Sequence, residues 1–80
     1  MQIPVIKKLS ETYTLSQLKE AEEALLNETK PAIEIEGKDE GEQLTHVLAA
    51  IDILTDIEKN GVDARTALRN YTQRVRNSIS

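Results

Sequence analysis

The chain has no cysteine, no tryptophan and no phenylalanine, and Tyr13 and Tyr71 are its only aromatic residues. Without thiols there is neither a disulfide nor a thiolate–metal staple, and a cysteine-free sequence fits a reducing compartment such as the cytoplasm. With so few aromatics, the core must be built from Leu, Ile, Val and Ala, each burying less area than a ring would. The three glycines are too scattered for a phosphate-cradling loop. There is one histidine, His46, so no histidine pair can ligate a metal within one chain. The longest nearly uncharged stretch, Gln43 to Leu54, is interrupted by Asp52 and is too short to span a bilayer. The start, Met-Gln-Ile-Pro-Val-Ile followed by Lys7 and Lys8, lacks the basic-then-apolar order of a secretory signal. These absences point away from membranes, cofactors and metals.

What is present is enough for one small fold. Eighty residues make a single domain, since splitting them would leave pieces too small for a core of their own. Charged residues make up 30% of the chain, but a net charge of −4 is too small for the signature of disorder. For a domain of this size, hydrophobic gain comes close to cancelling conformational entropy, and no covalent staple helps. A homo-oligomer, most simply a dimer, is therefore expected.

Helical spacing accounts for most of the chain. Pro4 suits a first helical turn, and Val5, Ile6, Leu9 and Tyr13 recur on one face, predicting a helix over residues 3–13. Thr14 and Gln17 form a capping-box pattern for a second helix to about Asn27, with the stripe Leu15, Leu18, Ala21, Leu25 and Leu26. Glu20, Glu22 and Glu23 fall mainly off that stripe. Pro31 then ends helical structure, and Ile33 and Ile35 alternate with Glu34 and Glu36 before Gly37 and Gly41. This reads as an extended acidic connection; a short strand would need a partner strand from a second copy.

A third helix is predicted from about Glu42 to Asn60, closed by Gly61. Its apolar residues Leu44, Val47, Leu48, Ala50, Ile51, Ile53, Leu54 and Ile57 cover more than half the circumference, leaving Thr45, Asp52 and Asp56 as a narrow polar strip. Such a helix is either central to the fold or buries its second face on another subunit. Asp63 caps a fourth helix, with Val62 and Ala67 as a hydrophobic staple and a core stripe of Ala64, Ala67, Leu68, Tyr71, Val75 and Ile79. Arg65, Arg69 and Arg76 line one flank of it and Arg74 the other. The expected fold is all-α: a small bundle of about four helices with an extended acidic connection between the second and third.

Charge is divided unevenly. Residues 1–60 carry six lysines against thirteen acids, and residues 61–80 carry four arginines against one. The arginine strip invites a nucleic-acid reading, helped by the turn at Gly61, but so small a protein keeps its acids within a Debye length or two of the strip. Pairing with the acidic connection of the same or a neighbouring subunit, and opposition to the helix dipole, fit better. The acids Glu34, Glu36, Asp39, Glu40 and Glu42 depart from the spacing of a calcium loop, whereas Asp39 or Glu40 can cap the third helix. His46 falls between Ile53 and Ile57 on the helical wheel, at the edge of the apolar arc, with Glu42 one turn earlier. A boundary position with a structural role is expected of it; an acid–base or metal role would need groups from another subunit. No catalytic constellation is evident, and no cofactor is implied.

The segments Ile-Pro-Val-Ile-Lys-Lys-Leu at 3–9, Pro-Ala-Ile-Glu-Ile-Glu-Gly at 31–37, Asp-Glu-Gly-Glu-Gln-Leu-Thr-His at 39–46 and Ala-Leu-Arg-x-Tyr-Thr at 67–72 resemble a family of short uncharacterised bacterial proteins. The resemblance implies a stand-alone cytoplasmic bacterial protein and carries over no catalytic residue. It also directs attention to residues 31–46, which lie mostly outside any core stripe. The reading that follows is a non-enzymatic helical interaction module that forms a homo-oligomer, its third helix supplying the apolar interface and its acidic connection and arginine strip setting partner choice. Nucleic-acid binding through the last helix, or a small ligand- or metal-dependent enzyme assembled across subunits, are its alternatives.

Overall fold

The computed structural model describes residues 2–79, and the side chains of residues 2–77. Four helices follow in order: α1 (Ile3–Thr12), α2 (Leu15–Leu26), α3 (Glu40–Asn60) and α4 (Ala64–Ile79). The boundaries have local causes. Pro4 sits in the first turn of α1, where its missing N–H costs nothing, and the Gln2 carbonyl accepts the N–H groups of Val5 and Ile6 at 3.1 and 3.2 Å. At the start of α2, Gln17 N–H donates to Thr14 Oγ1 at 3.2 Å and Thr14 N–H to Gln17 Oε1 at 2.9 Å, which is the reciprocal capping box. Asp39 caps α3, accepting Glu42 N–H at 2.8 Å, so the helix begins two residues before the Glu42 expected from spacing. Gly61 closes it with φ +66°, a conformation that costs a side-chain-bearing residue about 1–2 kcal/mol. Thr66 N–H donates to Asp63 Oδ1 at 2.7 Å and so begins α4.

The end of α2 is less orthodox. Glu28 adopts φ 59°, Glu28 N–H reaches the Leu25 carbonyl at 3.2 Å, and Thr29 N–H reaches that of Ala24 at 2.8 Å. These are the two bonds of a Schellman motif, with a glutamate where glycine is usual.

α3 packs against α1, α2 and α4. One side of it contributes Val47 and Ala50 to a cluster with Val5, Leu9, Leu18, Ala21, Leu25 and Ile35. The other contributes Ala49 and Ile53 to a cluster with Ile6 and Ala67, flanked by Ile3, Ile57, Val62, Leu68 and Tyr71. Apart from Leu48, the wide apolar arc is thereby accounted for within one chain: α3 is the centre of the fold, and its breadth does not mark the intersubunit interface expected from the spacing. The polar strip is the seam to α4. Arg74 meets the Asp52 carboxylate through both terminal nitrogens, at 3.1 and 3.3 Å, and Asn70 Nδ2 donates to Asp56 Oδ2 at 3.3 Å.

No strand forms among the described residues. Ile35 is buried and Ile33 half-buried against the first cluster, while Glu34 and Glu36 are exposed, so the alternation records a one-sided extended segment lying on helices. Gly37 lets that segment approach α3, since a Cβ there would stand 2.9 Å from the Gln43 backbone nitrogen. Several stripe residues prove outward-facing. Leu26 is 63% exposed and Leu48 46%, and Ala64 is exposed at the first position of α4. Each lies at a stripe edge or helix end, where spacing does not separate core from rim. The Ile79 side chain falls outside the described residues.

Candidate interaction surfaces

His46 is not at a boundary. It is fully buried, the one buried polar side chain among the described residues. The Gln2 backbone N–H donates to its Nε2 at 3.0 Å, and its Nδ1 lies 2.8 Å from the Glu36 carbonyl. An N–H can only donate and a carbonyl can only accept. The ring is therefore the neutral tautomer with its proton on Nδ1, and both nitrogens are committed. A single imidazole thus ties the start of α1 and the end of the connection to α3. Acid–base or ligand chemistry would require breaking one of these bonds.

The acids of the connection and of the first turn of α3 do not converge. Asp39 caps α3; Glu42, half-buried, accepts the Lys38 backbone N–H at 3.0 Å on Oε1; the Glu36 carboxylate faces Lys8 at 3.8 Å; Glu34 and Glu40 are exposed. Among the described residues no three His, Asp or Glu side chains gather as a metal-binding group. Glu34, Glu36 and Lys8 line a cavity of about 90 Å³ with Val5, Leu9 and Tyr13. That space suits a few waters, well below the about 300–1,000 Å³ of a small-molecule site.

The arginine strip lies where the spacing puts it. Arg65, Arg69 and Arg76 are exposed on α4 and form no ion pair among the described residues, whereas Arg74, on the other flank, is engaged by Asp52. Thr66, through its side chain and backbone N–H, holds the Asp63 carboxyl below its ordinary value, with Arg65 and Arg69 adding smaller attractions. In the α3–α4 seam, hydrogen bonds from Asn60 and Asn70 lower Asp56, while burial and the charge of Asp52 raise the Tyr71 phenol. Between α1 and α4 runs a groove of about 260 Å³ lined by Lys7, Ser10, Glu11, Ala64, Arg65 and Leu68.

Spacing alone missed the depth of His46 and the exposure of Leu26. The first was discoverable. Ala49, omitted from the apolar arc, lies on the far side of Ile53 from His46, and counting it moves the histidine from the edge of the arc to its interior.

No helix among the described residues is long and apolar enough to cross a membrane. A model of a family of unknown function, DUF6952, matches residues 1–80. No curated protein and no solved structure matches the chain.

Proposed function

Because this chain belongs to that family of unknown function across residues 1–80, we propose its role from its surface: a non-enzymatic helical interaction module that associates with further copies of itself. One observation carries the reading. Arg65, Arg69 and Arg76 on α4, and Glu34 and Asp39 on the connection with Glu40 at the start of α3, are all exposed, and no ion pair joins the two groups among the described residues. Opposite charges kept apart within a chain are free to meet between chains, where they set register and speed encounter.

A protein partner fits this surface better than nucleic acid. The strip offers three free arginines on a chain of net charge −4, and a phosphate backbone would meet that repulsion as well as the attraction. With the resemblance noted from the sequence as support, a bacterial cytoplasm is the setting proposed for such a module. Native mass spectrometry and light scattering from micromolar to millimolar concentration test the proposal. A dimer or larger species that dissociates as salt rises is expected; a monomer throughout overturns it. Fluorescence anisotropy with duplex and single-stranded DNA should show no binding at low salt.

A further inference from the structure

Two features of the surface remain without a role: an exposed leucine on α2 and the groove between α1 and α4. We propose that the first fits the second, so that Leu26 of one copy inserts into the α1–α4 groove of another. This rests on the self-association reading and specifies its contact.

Leu26, at 63%, is more exposed than any other large hydrophobic side chain among the described residues. Glu22 and Glu23 precede it by four and three positions and so share its face of the helix, and Glu28 follows just beyond the helix end. Lys19, two turns back, is the one cation on that face. The result is an apolar knob in an acidic collar. The groove is its converse. Ala64 and Leu68 supply apolar lining, Lys7 and Arg65 stand on its two helices, Arg69 follows one turn beyond Arg65, and Glu11 is its only acid. At about 260 Å³ it is smaller than the about 300–1,000 Å³ usual for small-molecule sites, yet open to one branched side chain. The exposure of Leu26 also shows that the chain's own knob does not fill its own groove.

The contact joins two different patches. It closes as a pair only if both knobs engage at once, and otherwise extends from copy to copy. Charge reversal tests it in both directions. The groove variant is Lys7→Glu with Arg65→Glu, and the knob variant is Glu22→Lys with Glu23→Lys. Arg65→Glu puts an acid in the first turn of α4, and the two new lysines lie near the C-terminal end of α2. These changes complement the helix dipoles, so fraying would not explain lost association.

In sedimentation velocity, wild type should associate and each variant alone should dissociate at least tenfold more readily, with circular dichroism showing wild-type helicity. An equimolar mixture of the two variants should associate again, because each reversed patch then meets its complement. Leu26→Ser should weaken wild-type association to a similar degree. If wild type associates but the variants associate equally well, or if their mixture stays monomeric, the knob-and-groove contact is wrong while the interaction module stands. If wild type is monomeric throughout, both fail.

Discussion

His46 and Gln2 lie 44 positions apart, and the Gln2 backbone N–H donates to Nε2 of the buried His46 ring at 3.0 Å. With Nδ1 held by Glu36, the imidazole serves as a crosslink between three chain segments. His46→Ala would take the partner from the Gln2 N–H and the Glu36 carbonyl and leave a void where the buried ring stood. The loss should be about 2–5 kcal/mol of unfolding free energy, measured by urea titration followed at 222 nm. Nitrogen-15 NMR of the wild-type ring at neutral pH should show the proton on Nδ1.

Gly37→Ala would drive a methyl group to 2.9 Å from the Gln43 backbone nitrogen and 2.8 Å from its Cγ. The side chain can turn aside, but the backbone cannot without shifting the first turn of α3. A destabilisation of about 1–3 kcal/mol is expected, as for other overpacked sites. The urea midpoint should fall with an unchanged slope.

Glu28→Gly should act in the opposite direction. The glutamate holds φ 59° at the end of α2, and glycine relieves that strain at some cost in unfolded-chain entropy. A net gain of up to about 1 kcal/mol is expected, seen as a higher thermal midpoint.

Asp56 gives the fold a defined acid response. Asn60 and Asn70 bond its charged form and hold its folded value below the ordinary 3.8. The unfolded chain therefore takes up this proton first as pH falls. The stabilisation is complete above the ordinary value and disappears as pH drops through the lower, folded one. Asp56→Asn should flatten the decline of urea stability below about pH 4, most visibly at low salt.

Much of this fold is legible in the sequence because helix ends are written in single residues. Thr14 with Gln17, Asp63 with Thr66, and Gly61 each act within one turn, so their spacing is their structure. The destination of a face is less legible. The breadth of the α3 arc announces two partners, but only the positions of α1, α2 and α4 show that both belong to the same chain. The same limit applied to the candidate site. The arginine flank followed from helical geometry, whereas the bonds to His46 depend on Gln2 and Glu36, whose approach no local pattern encodes. Leu26 fits the edge of its helical stripe by spacing but lies about 100° around α2 from Leu25, on the side it shares with Glu22 and Lys19.

The position of α3 between two apolar clusters has a consequence for how the protein breathes. Its middle turns belong to both clusters, so their amides can exchange with solvent only when both sides have let go. Amide exchange should be slowest from His46 to Ile53 and report the global unfolding free energy there. The ends of α2 and α4 should exchange sooner, through local openings that leave the centre of α3 closed.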